Sequence, residues 1–158
     1  MSRAFVRAFV REQDVEHVEG LPDRPVSEHP NIVTENGMAQ IEAALAGARA
    51  AHALAQATSD RGSIAAAARD VRYWSARRAT AQIVPGSSDR SKVNFGAKVT
   101  ILRDDGREQT FRIVGEDEAD PAKGSISHVS PLAKAMLGRA VGDVVRAGKD
   151  EAEITSIE

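Results

Sequence analysis

Four carboxylates fall within five positions in the stretch GEDEADP. They are Glu116, Asp117, Glu118 and Asp120, and Pro121 follows them. Carboxylates at this density can bind a hard divalent cation, exchange protons with a substrate or form a charged surface. An EF-hand loop needs alternating acids, a glycine and a later glutamate, and the run lacks that pattern. The spacing favours an exposed acidic loop over a metal site.

Few other residues could carry chemistry. The chain has no cysteine, which excludes thiolate nucleophiles, disulfides and cysteine zinc sites. The four histidines do not fall at the spacing of paired metal ligands. They are His17, His29, His52 and His128. We therefore expect no catalytic residue, no metal and no cofactor in this chain, and a protein that is not an enzyme.

Composition limits the size of the core. The 158 residues are 42% apolar but only 4% aromatic, which fits one or two small, alanine-rich domains. No run approaches the ~20 apolar residues that cross a bilayer, and the N-terminus lacks the apolar middle of a secretory signal. We expect a cytoplasmic protein with no membrane partner.

Residues 31–84 carry the pattern of two helices. Thr34 is a candidate N-cap, and the turn formers TSDRGS at 58–63 separate two segments with apolar residues at three- and four-residue steps. The pattern predicts an antiparallel helical hairpin, a short coiled coil with arms of roughly 30 Å. The predicted seam comprises Ile41, Leu45, Ala48, Ala51 and Ala55 in the first arm and Ile64, Ala67, Val71, Trp74 and Ala81 in the second, with Tyr73 pointing elsewhere.

Arginines concentrate in the hairpin. Residues 37–84 contain six arginines against three acids. A solvated helix face is the favoured interpretation, and contact with RNA phosphates or with an acidic partner is the alternative. Arg69, Arg72 and Arg77 are the candidate contact residues, while Arg78 falls close to the apolar seam.

The segments on either side of the hairpin lack periodicity. Residues 1–30 contain the repeat RAFVRAFV and three prolines, Pro22, Pro25 and Pro30, so we expect an extended tail rather than a helix. The role of the repeat stays open. The stretch PGSSDRSK, residues 85–92, predicts a linker.

Residues 93–158 predict a small α+β domain. Two strand-like runs meet at Asp104-Asp105-Gly106, which is a hairpin turn signal. Ser130 and Pro131 are the N-cap and first residue of a short helix that Gly138 closes. Two further strands, DVVRAG and EAEITSI, complete the domain. The acids and the Ser-Pro pair thus lie between a strand and a helix.

The motifs of this region resemble a known family. VNFGAKVTI, FRIVGEDEADPAKGSISHVSPLAKAMLGRAVGD and the terminal strand are similar to the C-terminal domain of the bacterial GreA/GreB transcript cleavage factors over residues 93–158. VTENGMAQIEAAL and ARDVRYWSARRATAQIV resemble, more weakly, the two arms of the Gre coiled-coil hairpin. The resemblance therefore implies an FKBP-like, antiparallel β domain with one short helix, preceded by the hairpin.

The resemblance also implies a partner. Gre factors dock on the rim of the secondary channel of bacterial RNA polymerase and insert their hairpin. Ser127 and Pro131 match rim-contact positions, and Val129 stands where some relatives have an acid. The polymerase-binding residues implied are Ser127, Val129, Ser130, Pro131 and Asp120.

The hairpin tip departs from the family pattern. Cleavage factors carry an acidic pair at the tip, because two carboxylates help to hold a catalytic magnesium. Here Asp60 is followed by Arg61, the next acid is Asp70, and the arms are shorter than Gre arms by about 10 Å. The pattern favours Asp60 as a turn or capping residue over Asp60 as a magnesium ligand.

These features predict an elongation regulator that binds RNA polymerase without stimulating transcript cleavage. In its short hairpin it is similar to the regulator of nucleoside diphosphate kinase, a Gre relative. One alternative is cleavage stimulation through Asp60. The other is an FKBP-like prolyl isomerase, for which the domain offers only Phe95 and Phe111 as pocket aromatics. The direction of the effect on transcription and the oligomeric state stay open.

Overall fold

The computed structural model describes residues 21–158. Two units are defined by their internal contacts: residues 21–27 with 41–80, and residues 28–40 with 81–158. The predicted RAFVRAFV repeat lies outside the described residues. Within them, no helix combines the length and apolarity that spanning a membrane requires.

The first unit is built on two helices, α1 (Glu35–Thr58) and α2 (Arg61–Thr80), which confirm the predicted helical hairpin. The first turn of α1 belongs to the second unit. An ion pair of 3.4 Å between Arg78 Nη2 and Glu42 Oε1 joins the end of α2 to the beginning of α1, as antiparallel arms require. Small side chains let the arms approach closely while burying little apolar area.

Part of the predicted seam is buried. Ile41, Leu45, Ala48 and Ala55 of α1 are buried, and Ala67 is buried in α2. Ala51, however, is exposed, because the 3.6-residue period carries it off the buried stripe. Ile64, Val71 and Trp74 are only partly buried, and Ala81 follows the end of α2.

The second unit contains a two-stranded parallel ribbon, one strand of which precedes α1 in the chain while the other follows α2. Its strands are β1 (Ile32–Val33) and β2 (Gln82–Ile83). Gln82 N donates to Asn31 O and Val84 N donates to Val33 O, both at 2.9 Å. The predicted linker 85–92 contains no helix or strand.

The remainder of this unit is a five-stranded sheet in the order β5-β4-β3-β7-β6. The strands are β3 (Lys98–Arg103), β4 (Glu108–Val114), β5 (Ser125–Ser127), β6 (Val144–Ala147) and β7 (Asp150–Ile157), and α3 (Pro131–Met136) is the short helix. The fold prediction of a helical hairpin followed by a β domain with one short helix is confirmed.

The sheet is not purely antiparallel. β5 pairs with β4 in parallel, with Ile113 opposite Ile126. A parallel neighbour requires a connection that returns to the same end of the sheet. Residues 115–124, which contain the acidic run and a 3-10 turn at Pro121–Lys123, make this return.

One continuous core holds the sheet and α3 together. Val99, Ile101, Ile113 and Ile154 of the three central strands are completely buried. Ala133 and Met136 are likewise completely buried, so α3 covers this core along one face. The alternation of buried and exposed residues along β3 and β7 follows the period of two that a half-covered sheet requires.

Residues 21–27 do not behave as a free tail. They contain no helix or strand, as predicted, but they pack on α2. Arg24 Nη1 lies 3.1 Å from Asp70 Oδ1, and Asp23 Oδ1 lies 2.7 Å from Arg72 Nε. Sequence periodicity missed these contacts because they join charged side chains 46 and 49 positions apart.

Candidate functional site

The strand end at Ser127 and the start of α3 form one continuous segment, residues 127–131, called here the docking segment. β5 is an edge strand, since β4 is the one strand paired with it among the described residues. Ser127 O accepts from Ser130 N at 2.9 Å, and Ser127 Oγ accepts from Val129 N at 3.2 Å. These two bonds close a tight turn between strand and helix.

The turn continues directly into the helix cap. Ser130 Oγ accepts from Ala133 N at 3.3 Å, which makes Ser130 the N-cap as predicted. Pro131 occupies the first helical position and is exposed. Ser127, Val129 and Ser130 are each partly exposed, so the docking segment presents a rigid surface with polar and apolar groups.

Asp120 is joined to this surface through the backbone. Asp120 N donates to Ser125 O and Ser125 N donates to Asp120 O, both at 3.1 Å, and Ser125 precedes Ser127 on β5. The Asp120 carboxylate lies 4.0 Å from Lys123 Nζ, and the Asp120 and Lys123 side chains are 46% and 84% exposed. Asp120 therefore lies beside the docking segment as an exposed acid.

The rest of the acidic run is less exposed than predicted. Glu116, Asp117 and Glu118 are all partly buried. Glu118 Oε2 accepts from Thr34 Oγ1 at 2.6 Å, and Glu118 Oε1 accepts from Asn36 Nδ2 at 2.9 Å. The expectation of a simple solvated loop is wrong for Glu118, because its carboxylate accepts hydrogen bonds from two side chains at the start of α1.

Thr34 is the N-cap of α1, as predicted. Its Oγ1 accepts from Gly37 N at 2.9 Å while its hydroxyl donates to Glu118. A negative carboxylate near the N-terminus of this 24-residue helix also interacts favourably with the helix dipole. A side chain at position 37 would bring its Cβ within 2.7 Å of Glu118 Oε2, so the Glu118 carboxylate would have to move to accommodate it.

The hairpin tip is a compact turn in which Asp60 is a capping residue. Ser59 adopts a positive φ of 53°, and Asp60 N and Ser59 N donate to Ala55 O and Gln56 O, both at 3.2 Å. This is the hydrogen-bond pattern of a Schellman motif. Asp60 then caps α2, with Oδ2 accepting from Ser63 Oγ at 2.7 Å and Oδ1 from Ser63 N at 3.4 Å.

These bonds affect the ionisation of Asp60. The Ser63 hydroxyl, then the Ser63 amide, stabilises the charged carboxylate and lowers the pKa of Asp60 below its usual value of 3.8. Asp60 is therefore ionised at neutral pH, and Arg61 follows it as the first residue of α2. One exposed carboxylate with an adjacent guanidinium carries no net negative charge.

The three candidate arginines of α2 lie in different environments. Arg72 is exposed and paired with Asp23. Arg77 is 1% exposed, so its side chain is not on a surface that RNA can reach in this structure. Arg69 is partly buried, and its Nε has no hydrogen-bond partner among the described residues. Of the three candidate arginines, Arg72 is therefore in an exposed ion pair, Arg77 is buried and Arg69 is partly buried.

The aromatic residues of the β domain do not line a deep pocket. Phe95 and Phe111 pack against the core, and Phe95 meets the His128 ring edge-on at 5.7 Å. The cavity beside Phe95 has a volume of 30 Å³, which holds one or two water molecules but not a proline ring.

The described residues form a helical hairpin and a small mixed sheet. The edge strand of this sheet continues into a short helix with Ser130 as its N-cap and Pro131 as its first residue. Residues 88–158 match the family described as "Transcription elongation factor, GreA/GreB, C-term". Transcription elongation factor GreB of Neisseria meningitidis serogroup B is 43% identical over 96 residues, which cover 57% of this chain and 59% of that protein. GreA of Helicobacter acinonychis is 47% identical over 66 residues, covering 40% of each chain.

Residues 88–158 are a C-terminal domain of the GreA/GreB family, as the sequence motifs predicted. It spans about half the length of the curated relatives it matches, from 40% to 59% in the two proteins described. The C-terminal domain accounts for the residues matched by the family.

Solved structures of related proteins resemble the chain only distantly. GreA factor homolog 1 (Gfh1) of Thermus thermophilus is 20% identical with a TM-score of 0.41, covering 82% of this chain and 99% of that one. The GreA/GreB factor of Nitrosomonas europaea is also 20% identical with a TM-score of 0.41, covering 80% and 97%.

Proposed function

We propose that this protein is a transcription elongation regulator that binds bacterial RNA polymerase at the secondary channel and does not itself stimulate transcript cleavage. The family membership of residues 88–158 supports the polymerase as partner, because the relatives are named transcription elongation factors. The use of the single tip carboxylate as a helix cap carries the second half of the proposal.

Docking is assigned to the rim-facing residues of the C-terminal domain. The docking segment supports this assignment, since its strand end, turn and Pro-initiated helix are mutually hydrogen-bonded and partly exposed. A rigid surface loses little conformational entropy on binding. Asp120 adds an exposed carboxylate beside it, which suits a basic partner surface.

The hairpin tip supports the proposal that the protein does not stimulate cleavage. Coordination of a second magnesium needs hard oxygen ligands about 2.1 Å from the ion. Both carboxylate oxygens of Asp60 accept hydrogen bonds from Ser63, and residues 58–63 contain no other acid. The α1 and α2 helices of 24 and 20 residues are about 36 and 30 Å long.

A transcript-cleavage assay on backtracked elongation complexes tests the proposal. The parent protein should not accelerate cleavage, and it should slow cleavage by a full-length Gre factor as its concentration rises. Asp60→Ala should give the same two results. Because removal of the cap could loosen the tip, Asp60→Ser, which retains a capping oxygen, provides a folded control.

Cleavage stimulation through Asp60 is the second candidate function. The observation in its favour is that Asp60 is exposed at the tip and has a lowered pKa, so a charged carboxylate is present. Robust cleavage by the parent protein that is lost in both Asp60→Ala and Asp60→Ser would establish this candidate and overturn the first. The prolyl-isomerase alternative gains no support from the family match or from the small cavity beside Phe95.

A further inference from the structure

One face of α2 carries a carboxylate and two aromatic rings that surround a single guanidinium. The guanidinium carbon of Arg24 lies 3.9 Å from the Tyr73 ring centroid and 5.4 Å from the Trp74 centroid. Arg24 Nη1 donates to Asp70 Oδ1 at 3.1 Å. The two rings contact each other edge-on, with centroids 4.9 Å apart and an interplanar angle of 81°. Asp70, Tyr73 and Trp74 are called here the guanidinium site.

The spacing of these residues explains why they converge. Positions 70, 73 and 74 are related by three and four residues and so share one face of a helix. The chemistry selects a planar cation, because a guanidinium can stack on an aromatic face while its N–H groups reach a carboxylate in its own plane. The ammonium of lysine is a compact, strongly hydrated charge and cannot make both contacts equally well.

The segment that supplies Arg24 is suited to reversible binding. Pro22 and Pro25 flank Asp23 and Arg24, keep the backbone extended and have no amide N–H to donate. The side chains of Arg24 and Asp70 remain 37% and 42% exposed, and the Asp23–Arg72 pair is more exposed still. Exposed ion pairs are weak and screened by salt. Arg24 therefore occupies the guanidinium site, which remains partly open to solvent.

We propose that Asp70, Tyr73 and Trp74 form a binding site for an arginine side chain, occupied within the chain by Arg24, and that an extended, arginine-bearing segment of a protein partner can replace it. Charge and shape complementarity carry the proposal, because the site already holds the ligand class it is assigned. The proposal is independent of the polymerase docking described above.

The single tryptophan of the chain makes the site measurable. In the full chain with Arg24→Ala, Trp74 should become more accessible to acrylamide quenching, while the helical circular dichroism stays at the parent level. The probe is a synthetic peptide with the sequence of residues 21–27, LPDRPVS. Added to Arg24→Ala, it should restore the parent quenching saturably. The parent protein, whose site is occupied, should bind the peptide at least tenfold more weakly.

Two matched controls separate an arginine site from a general attraction of charge. The peptide with lysine in place of its arginine should bind at least threefold more weakly than LPDRPVS. Arg24→Ala combined with Asp70→Asn should lose most of the peptide response while keeping its helicity. Equal binding of the arginine and lysine peptides, a response that survives Asp70→Asn, or unchanged Trp74 quenching in Arg24→Ala would each overturn the proposal.

Discussion

At the scale of single residues, the family motifs of this chain are largely places where two segments come very close. Gly115 of the IVG motif has no room for a side chain, because a Cβ there would lie 2.7 Å from the carbonyl oxygen of Ile32. A Cβ on Gly37 would lie 2.7 Å from Glu118 Oε2, which is the end of a side chain and can move. Glu118 of the acidic run accepts from two side chains at the start of α1, so the motif has a structural role in addition to any contact with a partner.

Glu118→Ala should loosen the first turn of α1. The substitution removes the acceptor of both Thr34 Oγ1 and Asn36 Nδ2, and loss of such a hydrogen bond typically costs about 1 kcal/mol. Amide hydrogen exchange at residues 35–38 should accelerate several-fold, with the core strands unaffected. Glu108→Ala, at an exposed glutamate of β4, is the control. Equal exchange in both variants would contradict the role of Glu118 in holding the start of α1.

Ser63→Ala should raise the pKa of Asp60 toward 3.8, because the Ser63 hydroxyl is the main cause of the lowered pKa. A carboxyl with a lowered folded-state pKa stabilises the fold above its unfolded pKa, and this stabilisation is lost as pH falls through the folded-state pKa. NMR titration of the Asp60 carboxyl in parent and variant measures the change. Asp89, whose pKa Ser91 lowers in the same way, should titrate identically in both proteins. An unchanged Asp60 titration would refute the assignment.

At the scale of elements, the hairpin depends on a few large side chains within an alanine-rich seam. Trp74 is partly buried and contacts Tyr73 and Arg24. Both aromatic residues therefore stabilise the packing of residues 21–27 on α2. The stability of the hairpin should respond more to Trp74 than to any exposed apolar residue on the same arms.

Trp74→Ala should destabilise the hairpin by about 2 kcal/mol, roughly half the loss expected for a fully buried tryptophan. Thermal unfolding followed by helical circular dichroism measures this change. Leu54→Ala is the matched control, since Leu54 is 68% exposed on α1 and should be nearly silent. A thermally silent Trp74→Ala would remove Trp74 from the residues that hold the hairpin.

At the scale of the whole molecule, the proposed function requires both units: the C-terminal domain to dock and the hairpin to occupy the channel. Ser127→Arg places a long cation within the docking segment and should abolish capture of RNA polymerase. The concentration needed to inhibit a full-length Gre factor should then rise at least tenfold.

The same substitution at Thr110, an exposed position of β4 outside the docking segment, should change neither capture nor inhibition. Circular dichroism must show both variants folded. Retention of polymerase by a folded Ser127→Arg would remove the rim-docking assignment, whatever the outcome of the cleavage assay.

Local sequence was sufficient for much of this fold. Hydrophobic periodicity predicted the two helices and the strands β3, β4, β6 and β7, while Thr34, Asp104-Asp105-Gly106 and Ser130-Pro131 predicted caps and turns that the structure contains. These features depend on interactions between residues a few positions apart. The GreA/GreB motifs likewise identified the family, because their order and spacing can be recognised without coordinates.

Only the tertiary structure decided what the charged residues do. Glu118 accepts a hydrogen bond from Thr34, 84 positions away at the start of α1, Arg24 fills the guanidinium site, and Arg77 is buried. The parallel pairing of β5 with β4 was equally absent from the strand pattern. A charged side chain has no periodic signature that reveals its partner. Its environment depends on which distant segment folds against it, and local sequence does not encode that contact.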